Sequence, residues 1–376
     1  ADRPSVTNAL AVIQSYSPWR PSAGVTESGL TIKDLENSDL TYEKKHELNI
    51  GADLGFLDNR INLTVDWYKR DNFDLIGRVM TQGIGGQIQK YGNVATMKSR
   101  GIEFSLSTKN IKTKDFSWTT DFIYSHMKNE VTKFNTSTRA FNLVSGIGFS
   151  REGYPVNSLF SYDFRGLNED GVPTFINEAG VLTSTDINFQ ETERFDNLVY
   201  SGPSEPTDVG SFGNIFQYKG LRLNVFITYS FGNVVRLDPV FSSIYNDLDA
   251  MPREFRNRWM TPGDERYTDV PAIVSSRQVR NDSKLSYAYN AYNYSTARIA
   301  KGDFIRMKEI SLTYDFPKRW IKKLRMSNLA LKIQATNLFL IYADKKLNGQ
   351  DPEFFNSGGV ATPVPKQFTL TLKIGL

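Results

Sequence analysis

Side chains able to make or break bonds are scarce in this sequence. It holds two histidines, His46 and His126, and no cysteine. The lack of thiols excludes disulfides, thiolate metal sites and thiol nucleophiles together. His46 and His126 lie far apart, without the clustered spacing of a zinc site. Each falls on the apolar side of an alternating segment, which predicts an interface residue rather than a ligand. No H-E-x-x-H, G-x-S-x-G or phosphate-binding loop occurs. Gly83-Ile-Gly-Gly86 opens no helical pattern and reads as a loop turn. Asp247-Leu-Asp249 supplies few of the six or more oxygens of a calcium site and reads as solvated loop. No catalytic function and no cofactor are expected.

Recognition chemistry is better represented. Segment 241–301 carries Phe241, Tyr245, Trp259, Tyr267, Tyr287, Tyr289, Tyr292 and Tyr294, interleaved with Arg253, Arg256, Arg258 and Arg266. Tyr and Trp offer a flat apolar face with a hydrogen-bonding tip, and Arg adds bidentate donors. That combination suits sugar rings or peptide side chains. Trp259, Tyr245, Tyr287, Tyr289, Tyr292 and Arg256 are the candidate binding residues of this segment. Phe354 and Phe355, after Asp351-Pro-Glu353, form a second candidate patch. The competing role for these aromatics is packing, because a loop of about 70 residues needs a core of its own.

The elements that carry these loops announce themselves by alternation. In residues 60–68, Ile61, Leu63, Val65 and Trp67 fall on one face and Arg60, Asn62, Thr64 and Asp66 on the other. A strand sends successive side chains to opposite faces, so one face is apolar and one wet. The same pattern predicts nine strands, at 42–57, 60–76, 97–110, 115–129, 209–219, 221–232, 302–316, 323–339 and 364–376. Phe226 is an exception, falling on the polar face of its strand. Several of these exceed the five or six residues usual in soluble sheets and match the 9–11 of a membrane-crossing strand. The connections alternate. Short ones at Asp58-Asn59, 111–114, Lys219-Gly220 and 317–322 take turns with long ones at 77–96, 130–208, 233–301 and 340–363. Transmembrane barrels show this asymmetry between periplasmic turns and extracellular loops. A soluble antiparallel sandwich explains the alternation equally well, but not the strand lengths or the loop asymmetry.

Composition agrees with a barrel. Mean hydropathy is −0.40, and no run approaches the roughly 18 apolar residues of a membrane helix. A barrel is apolar only at alternate positions, so neither observation excludes one. Aromatics are abundant, with 25 Phe, 18 Tyr and 5 Trp. The net charge of +4, from 45 basic and 41 acidic residues, is near neutral for this length and predicts no nucleic-acid partner.

Several stretches, in order, resemble the C-terminal half of the SusC/RagA family of Bacteroidetes. They are Leu40–Lys45 (LTYEKK) with Leu48–Gly51 (LNIG), Asn59–Ile61 with Asp66–Tyr68, Tyr91–Val94 with Ser99–Glu103, Gly302–Tyr314 (GDFIRMKEISLTY) with Phe316-Pro317, and Asn337–Phe339 with Asp351–Glu353. The sequence departs from the family in ending on Leu376, where many barrels end on an aromatic. Nothing in it resembles the family's N-terminal plug. The resemblance implies an all-β, antiparallel transmembrane barrel of about 22 strands, of which residues 1–376 supply roughly the last nine. It implies TonB-energised uptake of oligosaccharides or oligopeptides across the outer membrane. The implied partners are a SusD-like surface lipoprotein, outer-membrane lipid, and the TonB–ExbB–ExbD machinery acting through N-terminal segments. A passive porin, a surface adhesin and a soluble secreted glycan-binding β-protein are the alternative readings. On the first reading, strands 42–57 and 364–376 are unpaired edges that need strands from elsewhere in the protein.

Overall fold

The computed structural model describes residues 11–16, 29–34, 36–80, 83, 89–136, 138–145, 149–240, 251–321, 326–355, 363 and 365–375. Among them one antiparallel sheet of nine strands dominates. Its strands are β1 (Lys44–Phe56), β2 (Ile61–Met80), β3 (Gln89–Lys112), β4 (Phe116–Phe134), β5 (Asp208–Tyr218), β6 (Leu221–Phe231), β7 (Phe304–Asp315), β8 (Asn328–Ala343) and β9 (Gln367–Gly375). Each strand pairs with its sequence neighbours, β1 and β9 are the two edges, and the sheet does not close on itself. A further short hairpin pairs 12–16 with 29–34.

The nine strands match the predicted nine one for one, with a correction at the second and third. The stretch 77–96 is not a long loop. β2 and β3 stay paired out to Met80 and Gln89, which leaves only 81–88 between them. The alternation fades there because the register shifts between Asn72 and Ile76, and such irregularities break the strict two-residue period of side chains. The eighth strand is also displaced: Lys318–Ile321 forms a helical turn, and β8 begins at Asn328.

The tight ends of the hairpins have a local cause. Leu57, Asp58 and Asn59 adopt φ of 53°, 55° and 58°, and Lys219 adopts 52°. Asp and Asn reach this left-handed region more readily than other non-glycine residues, and Gly220 completes the second turn.

Register carries the apolar face across the whole sheet. Leu54, Leu63, Leu106, Phe122, Phe212, Ile227, Met307 and Phe339 are successive cross-strand partners from β1 to β8. Trp118, Phe216, Leu223, Leu312, Ile333 and Leu370 form a second row, reaching β9. Directly opposed residues share a face, so these rows form one continuous apolar band. Among the described residues nothing covers the band at β8 and β9: Leu370 is 70% exposed and Ile333 54%. The opposite face carries Asp53, Asn62, Asp66, Glu103, Asp121, Lys332 and Gln334, as the alternation predicts. Two aromatics lie on it over glycines. Tyr68 crosses its partner Gly101, where an added Cβ would lie 2.5 Å from the ring, and Phe226 covers Gly213. The glycine accounts for Phe226, the apolar residue out of phase in its strand.

The long connections at the other end of the sheet are folded. Residues 158–162 pair with 198–203, and 234–236 with 299–301. Segments 135–207 and 232–303 share one core, built from Leu143, Val144, Phe160, Tyr162, Phe175, Val240, Ala291 and Tyr292. The loop core expected on length grounds therefore exists, and two loops build it jointly.

Candidate functional site

A cleft of about 510 Å³ with mixed polar and apolar walls opens at the long-loop end of the sheet. Four chain segments meet there: Leu237–Pro239 after β6, Met251–Glu254, Arg298 ahead of β7, and Lys346–Gln350 after β8. Local structure fixes each side. A 3-10 turn over Arg253–Asn257 presents Arg253 and Glu254. A second, over Lys345–Leu347, is capped by the Asp344 side chain and drives Leu347 into a small core with Val235, Leu237 and Ala300. That anchoring holds Lys346 and Asn348 on the rim.

Arg298 is the centre of the cleft. Its side chain is 3% exposed and lies 2.7 Å from Glu254. It also donates to the Asp238 carbonyl at 2.6 Å, and Asn348 donates to the other oxygen of Glu254 at 2.9 Å. Arg298 Nε has no partner among the described residues. A desolvated pair of this kind contributes little net stability, yet removing one partner strands a buried charge. Exposed Arg253, Lys346, Asn348 and Gln350 ring it. The arrangement offers donors and acceptors at fixed positions to a polar ligand, and among the described residues no cluster of His, Asp or Glu could hold a metal.

A second ionic anchor lies beside it. Arg306 of β7 is almost fully buried and binds Asp351 at 2.5 Å and Glu353 at 3.2 Å. Asp351 also caps the turn at Pro352–Phe354. Arg306 and the two acids belong to separate stretches singled out in the sequence, and nothing in either stretch reveals that they meet.

The aromatic candidates divide by burial. Tyr289 and Tyr292 are 2% and 1% exposed and belong to two loop cores. Burial pushes the Tyr292 hydroxyl up to about 12. Trp259 is half-buried, lies against Gly171 at a left-handed φ of 72°, and donates to Glu265 at 3.2 Å. Phe355 packs on the small core around Leu347, and Phe354 is half-buried in the same turn. Arg256 is exposed, and Tyr287 is 48% exposed beside Phe189. Tyr245 and Asp247-Leu-Asp249 lie outside the described residues. The cleft draws on the same two loops as these candidates but uses their polar neighbours. His126 binds Asp208 at 2.8 Å, and His46 meets Phe73 edge to ring. Both are structural contacts.

Comparison with known proteins supplies the lineage. The family model described as "TonB dependent receptor-like, beta-barrel" matches residues 7–338. TonB-dependent receptor SusC of Bacteroides thetaiotaomicron is 27% identical over 357 residues, covering 90% of this chain and 32% of that protein. TonB-dependent receptor P3 of Formosa agariphila is 26% identical over 344 residues, covering 87% and 32%. The chain thus spans about a third of the length of the curated relatives it matches. The solved structure of the RagAB peptide transporter superposes with a TM-score of 0.74 at 23% identity, over 98% of this chain and 39% of that one. At that identity the likeness is one of fold. With the apolar band, the tight and long hairpin ends and the match over 7–338 in agreement, the chain belongs to the TonB-dependent receptor-like β-barrel family.

Proposed function

We propose that this chain forms barrel wall and outer loops of an outer-membrane importer for oligosaccharides or oligopeptides. The observation that carries the reading is the uncovered apolar band running across all nine strands, with folded loops at one end only. A soluble protein rarely exposes a contiguous apolar patch beyond a few hundred Å², whereas lipid covers such a band in a barrel. The cleft around Arg298 is the proposed ligand contact, with exposed Arg256 and Tyr287 as outlying contacts. Strands outside residues 1–376 close the barrel, and a plug in its lumen couples uptake to TonB–ExbB–ExbD. A SusD-like lipoprotein covers the loops.

The test is uptake by intact cells carrying the full-length protein, using labelled oligosaccharide and oligopeptide pools with and without a protonophore. Energised import predicts accumulation of one pool that collapses with the protonophore. It also predicts about tenfold weaker apparent affinity in an Arg253→Ala, Lys346→Ala variant, the scale of one lost charge-assisted contact. Accumulation indifferent to the protonophore marks a passive pore instead, and surface binding without entry marks an adhesin.

A further inference from the structure

The apolar band ends abruptly on three neighbouring strands, and a row of cations borders it there. On β4 the band-side positions run Phe116, Trp118, Thr120, Phe122, Tyr124 and His126, then Lys128 and Glu130. On β3 they run upward through Leu106, Phe104 and Ile102, then Arg100 and Lys98. On β2 they run through Leu63, Val65 and Trp67, then Lys69 and Asp71. Register aligns the change: Lys69 pairs with Arg100, and Arg100 with Lys128. The stretch 116–126 equals the roughly 9–11 residues a tilted strand needs to cross the hydrocarbon. The cation row therefore sits one step beyond the hydrocarbon on the long-loop side, still facing outward.

Like charges directly opposite one another destabilise a sheet. Here three stand abreast, with Lys98 behind them in the next row between Asp71 and Glu130. Lys69 has Asp71 at 4.0 Å. Lys98, Arg100 and Lys128 form no ion pair among the described residues, and all four cations are exposed. Two carboxylates against four cations leave the patch positive. The four cations and Glu130 line an open groove of about 400 Å³ whose lower wall is Trp67, an aromatic of the kind that settles at the headgroup level. A row of cations is stabilised by an anion that bridges it, and phosphate accepts from Arg and Lys together.

We infer that the groove over Lys69, Arg100 and Lys128 binds the phosphorylated headgroup of an outer-leaflet lipid whose acyl chains lie on the apolar band below. The occupant is a lipid rather than a free phosphate or an acidic protein surface, because the apolar band reaches the groove at its lower wall, Trp67. The inference rests on the membrane orientation proposed above.

The test uses the full-length protein in phosphatidylcholine nanodiscs, titrated with lipid A or with lipid A stripped of its phosphates. The expected result is tight, salt-sensitive binding of the phosphorylated form only. Binding should weaken about 100-fold in the Lys69→Gln, Arg100→Gln, Lys128→Gln variant, on the scale of one surface interaction for each cation. Equal binding of the two lipids by the unaltered protein would overturn the inference without any variant. So would a variant that stays inserted and binds lipid A as before, or a groove that prefers soluble phosphate or an acidic lipoprotein. Failure of the unaltered protein to enter nanodiscs would overturn the membrane reading itself, and this inference with it.

Discussion

At the scale of single residues, burial separates what a side chain could do from what it does. Tyr289 and Tyr292 have the right chemistry for a sugar or a peptide, but both are core residues. Composition cannot tell a binding aromatic from a packing one, since each wants an apolar face and a satisfied hydroxyl. The consequence for Tyr292 is measurable. Its hydroxyl is raised from 10 to about 12, chiefly by burial, so the folded loops hold the proton more tightly than the unfolded chain does. That stability is complete below pH 10 and is lost as pH rises towards 12. Alkaline titration followed by tyrosinate absorbance should show the loop unit opening in this window, and Tyr292→Phe should shift the opening to higher pH. An unchanged midpoint in the variant would mean that another group governs alkaline opening. Arg298 and Arg306 show the converse. Each finds its acidic partner across a long stretch of chain, Glu254 and Asp351, and no local pattern encodes such a pairing.

At the scale of elements, phase was legible in the sequence and extent was not. A one-residue slip would turn every apolar side chain to the wrong face, so strand phase is written into the alternation, and the strands follow it except at Phe226 and at the register shifts, such as that between Met307 and Glu309 in β7. Where the register shifts, between Asn72 and Ile76, the two-residue period breaks, which is why the continuation of β2 and β3 to Met80 and Gln89 left no trace. Phase can be tested at one pair of neighbours. Leu223 lies in the apolar row with Trp118, Phe216 and Leu312, whereas Asn224 on the other face donates to Glu309 at 3.2 Å. Leu223→Lys should cost up to about 2–4 kcal/mol, the ceiling that a lysine facing lipid reaches at the bilayer midplane. Asn224→Lys puts a cation beside Glu309 and should be nearly neutral. Reversible unfolding in lipid vesicles measures both, and equal costs would show that the lipid face has been assigned the wrong way round.

At the scale of the whole molecule, the edges decide what the sheet belongs to. β1 and β9 each present an unpaired ladder of N–H and C=O groups on their outer sides. In hydrocarbon every such unsatisfied group costs several kcal/mol, so only a closed barrel spans a bilayer. Nine strands could satisfy these edges by pairing β1 directly with β9, or by pairing each with strands beyond residues 1–376. The described sheet does not take the first route, and a ring that small would leave no lumen for a plug. The sequence carries no cysteine, so within residues 1–376 an introduced pair has no competitor and the choice becomes testable. Asp53→Cys on β1 and Thr371→Cys on β9 lie on the same polar face, and strand pairing would bring such a pair within the 4.4–6.8 Å Cα separation of a disulfide. In the full-length protein, mild oxidation should leave both thiols free. Amide exchange along both edges should nonetheless be as slow as in β5 at the centre of the sheet, because strands from outside residues 1–376 are bonded there. Rapid formation of a disulfide between the two introduced thiols would establish a small closed barrel. It would remove the room for a plug, and with it the case for energised import.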